Sequence, residues 1–402
     1  MSRRPAGWYP LLVATASIGI ANSVVFSLLS NLQDRYGFSD GGLGLIAGSG
    51  FLVGLIGQIV LAPFADRGHS KALLLAGLGA AVLGSVLFAM SASLITLVAS
   101  RAVTGLSNSL FLPAARAIAI SISPENVAER LGTMSGVELA GFVTGPVIGG
   151  FLVGPFGLKV PFLVTGAFAL AGAALLAPRK LPQPFIDRES GEPRRLALDL
   201  LRLPRVRAGV LMSVALFLPV GFYDATLDVY LTDRGASDML IGLTFLAYGI
   251  PFTLLATAGG RLSDRRGAVR VAFVSTMLVA PVTASYGLLA APILILVLTV
   301  VEGCLQALGV PASQSMVAAA APLGRAAAAQ GLAGGSNLLI AAVTAYSAGT
   351  LYKLLGAAWL YSIAAGGVAL FAILSLWQAR VGRAAEAVAT VALDGNLSPE
   401  LS

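Results

Sequence analysis

Residues 39–45 read SDGGLGL and residues 237–243 read SDMLIGL, the second 198 positions after the first. The same interval separates Asp66-Arg67 from Asp264-Arg265, and Gly105 and Pro113 from Gly303 and Pro311. One interval holding at three landmarks marks a tandem duplication whose unit is nearly half of the 402-residue chain. Composition says what was duplicated. The chain is 57% hydrophobic and only 11% charged, against about 25% charged in an ordinary soluble domain, and its mean hydropathy is +0.86. Such a chain has too little polar surface for water, and its long apolar runs are of the length that crosses a bilayer, roughly 20 residues for about 30 Å.

Twelve such runs are legible, at 10–32, 41–63, 71–93, 95–120, 131–153, 160–178, 208–231, 238–260, 271–290, 292–320, 328–352 and 358–378. Only helices satisfy their own backbone over runs of this kind in lipid. The expected fold is an all-α integral membrane protein of twelve transmembrane helices in two pseudo-symmetric six-helix halves, residues 1–178 and 208–380. A central loop, 179–207, joins the halves, and a tail, 381–402, follows. The end of the loop, with Leu196, Leu200, Leu201 and Leu203 among arginines, is read either as an amphipathic helix on the membrane surface or as a solvated linker.

Lysine and arginine set the expected orientation. With the N-terminus cytoplasmic, the outer loops carry only Arg35, Lys159, Arg234 and Lys353; of the 26 basic residues, setting aside Arg101 inside a helix, the other 21 fall on the inner side. Both termini are then cytoplasmic in a plasma or inner membrane. The net charge of +7 is accounted for by this asymmetry, with no nucleic-acid partner implied. The first apolar run lacks a small-residue cleavage site and precedes eleven more, so it is read as a retained helix. One cysteine, Cys304, and one histidine, His69, leave no set for a Cys/His metal centre, and no G-x-x-x-x-G-K-[ST] loop supports ATP-driven transport. An enzyme is not expected, and no cofactor or metal.

Six-helix halves related by duplication are a transporter architecture, with substrate held near the midplane between the halves. Here the chain resembles the major facilitator superfamily. GRLSDRRG at 260–267 matches that family's G-x-L-x-D-R-x-G motif after helix 8, and APFADRGHSK at 62–71 is a second copy that keeps Asp66, Arg67 and Lys71 but has Ala62, His69 and Ser70 at other motif positions. The resemblance implies that Asp66, Arg67, Asp264 and Arg265 form a gate on the cytoplasmic side. The stretch GFVTGPVIGG at 141–150 matches the pattern G-x-x-x-G-P-x-x-G-G at Gly141, Gly145, Pro146, Gly149 and Gly150. It resembles the signature of the drug:proton antiporter branch, which implies that these glycines form a seam between the halves.

An ionisable group at mid-membrane costs about 2.5–3.5 kcal/mol on insertion scales, which makes each one a functional candidate. Arg101 matches the family's R-x-x-x-G motif in helix 4, with Gly105 in the glycine position; a fixed cation there tunes a neighbouring carboxylate. Glu138, seven residues before Gly145, is expected to carry a proton or to pair with Arg101. Asp224 and Asp228 share a face of helix 7, Asp224 being the deeper, and Glu302 lies in the middle of helix 10. These carboxylates give the second half an acidic lining suited to cations and protons, so Arg101, Glu138, Asp224 and Glu302 are the candidate coupling residues. Asn22, Phe26, Asn108, Phe111, Tyr223, Asp228, Tyr248, Gln306 and Asn337 are candidate cavity residues. The expected function is efflux of small amphiphilic or cationic compounds by proton antiport, powered by the proton gradient; the alternative is transport of a sugar, amino acid or other metabolite. The expected partners are a small-molecule substrate, protons and the lipid bilayer, and one twelve-helix chain suffices as a monomer.

Overall fold

The computed structural model of the chain describes residues 7–182 and 196–396. Among them it is helical and has no strand. The first apolar run is helix α1 (Trp8–Ser23), a 3-10 turn (Val24–Ser27) and α2 (Leu29–Tyr36). Then follow α3 (Asp40–Phe64), α4 (Ser70–Met90), α5 (Leu94–Ile122), α6 (Val127–Phe156) and α7 (Lys159–Leu176). The second half comprises α8 (Pro204–Asp233), α9 (Asp238–Arg266), α10 (Ala268–Tyr286), α11 (Pro292–Ala320) and α12 (Ala326–Asn396).

Ten stretches of these helices are long and apolar enough to cross a membrane. Two of them fold back on themselves. The stretch from Gly42 to Met90 turns at Gly68, whose φ of 89° suits a residue without a Cβ. The stretch from Ala326 breaks at Gly356, with φ 78°. Each is then two crossings, which makes twelve among the described residues. Proline opens α8 and α11 at the first turn, where no N–H is missed; this starts α8 at Pro204, ahead of the apolar run that begins at 208. At the other extreme α12 runs on to Asn396, so helix replaces most of the tail expected from 381.

The bundle is inside out relative to a soluble protein. Large apolar side chains such as Ile95, Phe151 and Leu254 face outward, while Thr15, Ser17, Ser107, Thr276 and Ser313 are buried. Small polar side chains let helices approach closely and bond across or back onto their own backbone.

The two ends of the bundle differ. The turns at 65–69, 123–126, 267 and 321–325 and the central loop gather at one end, termed the linker end; Arg35, Lys159, Arg234 and Lys353 mark the far end. Of the central loop, residues 183–195 lie outside the described residues. Its last part is a short 3-10 turn, Ala197–Arg202, in place of an amphipathic helix. Leu200 is buried against Val206, Val317 and Ala328 while Leu196 and Leu203 are exposed. Arg325, just ahead of α12, clamps the turn by a bidentate ion pair to Asp199 and a 3.2 Å bond to the Leu196 carbonyl. That guanidinium holds the Asp199 carboxyl below its ordinary range.

At the linker end the halves are sealed together. Asp66 accepts bonds of 2.8 Å from the amides of Ala327 and Ala328, the free first turn of α12. Asp264, 198 positions later, does the same for α6, accepting 2.9 Å bonds from Ala128 and Glu129. A carboxylate here satisfies orphan amides and meets the positive end of the helix dipole. Below the caps, bare glycines bring backbones into contact. On α6 Gly132 faces the Ala256 carbonyl and Gly136 the Thr253 carbonyl, while Gly260 of α9 faces the Ala128 carbonyl. At the other crossing Gly331 and Gly334 of α12 lie on Gln58 and Ala62 of α3. Ser135 donates to the Gln314 side chain at 3.0 Å and Thr257 to Thr133 at 3.2 Å, both across the seam.

The seam thins toward the far end. The last close glycine contacts are Gly249 on Val143 and Gly54 on Leu338. Beyond them Gly44, Gly48, Gly242 and Gly349 have nothing within 4 Å of where a Cβ would be. The molecule is closed at the linker end and parted at the far end.

Two outcomes follow. Gly136→Leu has no room against the Thr253 carbonyl, 2.9 Å from a Cβ. Spin-label distances between the linker ends of α6 and α9 should lengthen by several ångströms (the width of a side chain, about 4 Å of van der Waals separation) with helicity unchanged; an unaltered distance would refute the seam. For the loop clamp the sign is set by the depressed Asp199 carboxyl: its contribution is present above the ordinary value of 3.8 and fades as pH falls through and below it. Asp199→Asn should therefore lower the thermal midpoint at pH 7, and the difference from the parent should shrink as pH approaches 3.

Candidate functional site

The two halves present opposite charges to the interior. In the first half Arg101 of α5 is 4% exposed. Its Nη1 donates to the Asn22 carbonyl at 2.7 Å, and its guanidinium lies 4.9 Å from the Phe26 ring centre and 5.9 Å from that of Phe51. Gly50 of α3 makes the room, since a Cβ there would fall 2.6 Å from the Arg101 Nε. That Nε has no hydrogen-bond partner, and among the described residues Arg101 has no ion-pair partner. Two faces of aromatic quadrupole and one carbonyl stand in for a counter-ion. The Asn22 amide donates to Ser107 of α5 at 3.2 Å, so α1 and α5 are tied beside the arginine.

Glu138 does not meet Arg101. It pairs with Arg116, six residues from the end of α5, at 3.0 Å between Oε2 and Nη2. The connection between α5 and α6 is four residues long, so the antiparallel helices bring the last turns of α5 beside the early turns of α6 and leave Arg101 too far along. Arg116 was hidden in the sequence because it reads as one of the basic residues that end a span.

The stripe Gly141, Gly145 and Gly149 also lies elsewhere than between the halves. A Cβ on Gly141 would strike the Ala16 carbonyl, on Gly145 the Ser23 hydroxyl, and on Gly149 the Ser27 hydroxyl, all on the first span of the same half. Gly150 meets nothing within 4 Å, and α6 continues unbroken through Pro146. The stripe is the α1–α6 contact; the seam between halves uses Gly132 and Gly136 one to two turns earlier. Phe111 is likewise packing: it is fully buried against α4, where Gly77 faces its Cβ. Asn108 is partly buried on α5.

The second half holds the acid. Glu302 of α11 is 1% exposed, with Tyr223, Tyr286 and Gln306 beside its carboxyl; its Oε1 has no hydrogen-bond partner. Gln306 donates to the Leu216 carbonyl of α8 at 3.1 Å, and the Tyr223 hydroxyl to Thr283 at 2.9 Å. Tyr286 and Tyr361 complete an aromatic group around Tyr223, with ring centres 5.2 and 6.0 Å away. Tyr248 of α9 lies near both Glu302 and Asp224. Five elements thus converge on one carboxyl. Asp224 and, one turn farther out, Asp228 are exposed on α8. Asn337 is buried on α12 with its side-chain oxygen unpartnered. Tyr286 and Tyr361 were not legible as site residues, each lying in a different apolar run with nothing local to mark it.

At the gate, Asp66 and Asp264 act as the helix caps described above. Arg67 lies 4.9 Å from the Phe64 ring centre. In the second copy the arginine that reaches α6 is Arg261, 3.1 Å from Glu129, while Arg265 is exposed. Arg261 stood in the motif GRLSDRRG at a position of free choice, so the pattern gave it no weight.

Known proteins fit this geometry. A human organic anion transporter, MFSD10 (TETRAN), has a crystal structure that superposes with a TM-score of 0.77 over 92% of this chain and 98% of its own, at 19% identity, a likeness of fold. A chloramphenicol resistance protein of Streptomyces lividans is 28% identical over 312 residues, covering 75% of this chain and 78% of that protein. The mouse MFS-type transporter SLC18B1 is 25% identical over 273 residues, 65% of this chain; the match spans 59% of that relative's length. The human vesicular acetylcholine transporter is 28% identical over 286 residues, 66% of this chain and 53% of its own. A family model, Major Facilitator Superfamily, matches residues 11–231 and again 209–392. Matched through both of its halves, the chain belongs to the Major Facilitator Superfamily.

Proposed function

We propose that this chain is a proton-coupled antiporter that exports small amphiphilic or cationic compounds by alternating access, with Glu302 as the group that protons and substrate share. The observation that carries the reading is a buried carboxyl ringed by tyrosines and without an ion-pair partner among the described residues. A carboxylate left alone in an apolar interior is strongly disfavoured. It must take a proton or face a cation. Those two states exclude each other at one carboxyl, and exclusion is what exchange requires. The tyrosine rings supply faces for a cationic or amphiphilic body, and Asp224 beside Tyr248 extends the negative lining outward.

With the arginine-rich linker end on the cytoplasmic side of a plasma or inner membrane, both termini are cytoplasmic and the closed seam makes this the outward-facing state. A proton entering from outside neutralises Glu302 and releases the cation. Parting of the Asp66 and Asp264 caps would then carry the protonated site inward. The gradient of protons is the only drive invoked, and one chain holds the whole path. The names of the relatives support the reading: one confers resistance to chloramphenicol, and another carries acetylcholine, a quaternary cation.

Inside-out vesicles with a lumenal pH dye test this. A panel of lipophilic cations should alkalinise the lumen through the parent protein. Glu302→Gln should reduce that flux at least about tenfold, as expected for removing a functional intramembrane charge, whereas Glu138→Gln, which breaks only a pair within one half, should retain most of it. An undiminished pH response in Glu302→Gln would rule out the assignment.

A further inference from the structure

The two crossings of the seam are built differently. Through the 198-residue interval Gln58 of α3 corresponds to Ala256 of α9, and the two backbones play the same part: Gly331 faces the Gln58 carbonyl as Gly132 faces that of Ala256. An alanine is therefore enough to pack such a crossing. In its place Gln58 lays its side-chain amide over Gly334, where a Cβ would fall on the Gln58 Oε1. Gln330, Gly334 and Asn337 share one face of α12, at i, i+4 and i+7. The Gln58 amide thus lies between a glutamine one turn nearer the linker end and an asparagine one turn farther out. All three side chains are more than nine-tenths buried, with Gln58 4%, Gln330 0% and Asn337 8% exposed. Each keeps an amide oxygen without a hydrogen-bond partner, although Gln330 donates from its Nε2 to the Gln314 carbonyl at 2.9 Å. At the α6–α9 crossing the hydroxyls bond each other instead, Thr257 to Thr133 at 3.2 Å.

An acceptor buried without a donor is costly, and the packing of the crossing does not ask for one. Three of them along one stripe make a set of acceptors open to donors from outside the protein. The stripe lies at the floor of the opening: Leu338, next to Asn337, and Gly54, one turn above Gln58, make the last close contact on that side before the halves part. Glu302 is 12 residues farther along α11 than Gln314, about 18 Å of helix, so the acid and the amides are successive points on one path. Neutral oxygens accept hydrogen bonds from N–H groups, and a quaternary ammonium ion has none to give. We propose that Gln58, Gln330 and Asn337 form a hydrogen-bond-accepting subsite that selects, among cationic compounds, protonated amines carrying N–H over quaternary ammonium ions. The inference rests on the antiport reading: Glu302 answers to the charge of the compound, and the amides answer to its donors.

Phenylethylammonium and phenylethyl-trimethylammonium share a skeleton and a charge and differ in N–H groups. Proteoliposomes of the full chain with a lumenal pH dye give a KM for each, and the shift in thermal midpoint with each probe reports binding apart from transport. The parent should favour the primary amine by both readouts. In Gln58→Ala, which installs the residue type found at Ala256, the ratio of KM for the quaternary probe to KM for the primary one should fall at least about fivefold, as expected for losing a hydrogen bond to a charged group. Asn337→Ala should lower the same ratio, and it serves if Gln58→Ala fails to insert. Equal shifts for both probes would make the amides packing groups, and an unchanged ratio would leave them without a ligand; either result overturns the subsite. A parent that binds with the N–H preference but moves no protons would instead defeat the antiport reading and leave the subsite standing.

Discussion

A carboxylate set against the open start of a helix is the contact on which this molecule turns. Asp66 and Asp264 each give two oxygens to two amides of the opposite half. Hydrogen bonds to a charged group are worth roughly 1.5–3 kcal/mol each, and water is the only competitor for them. While they hold, the glycine crossings of α6 with α9 and of α3 with α12 lie backbone to backbone, and the halves diverge toward the other end. When they release, four helix-start amides and two carboxylates turn to solvent, which can satisfy them at that depth. Exchanging these partners for water therefore costs less than losing the bonds outright.

Duplication gave two matching scaffolds, but the interior charges are not copies. Arg101 corresponds through the 198-residue interval to Thr299, and Glu302 corresponds to Thr104. One helical turn of the repeat thus bears a cation in the first half and an anion in the second, with threonine at the vacated position each time. Thr104 returns its hydroxyl to the Arg101 carbonyl at 2.9 Å, and Thr299 to that of Ile295 at 2.7 Å. The charges are therefore not paired with each other. Each is held by neutral groups of its own half.

Much of this was legible without coordinates, for a simple reason. Apolar runs long enough to span lipid have few alternatives to a helix, and a charge inside one stands out as Arg101 and Glu302 did. What the sequence could not assign was direction around a helix axis. Both Gly132/Gly136 and Gly141/Gly145/Gly149 are four-residue stripes on α6. The five-residue step between them turns the second stripe by about 140° from the first, so the two face different neighbours, and the more conspicuous one faces α1. The partner of Glu138 was lost in the same way: Arg101 and Arg116 lie 15 residues apart on α5, about 22 Å of helix, and only the short turn into α6 selects Arg116. The loop turn at 197–202 depended on Arg325, which is remote in sequence and had no pattern to announce it.

The caps have one more consequence. Asp66 sits in the first half and caps a helix of the second; Asp264 sits in the second and caps a helix of the first. Each half therefore carries one acid and one receiving helix start, arranged so that residue i of one meets residue j of the other and the reverse. That is the isologous contact of a two-fold dimer, preserved inside a single polypeptide. A half on its own would have both members of the pair and no means of joining them, except by meeting a second copy of itself.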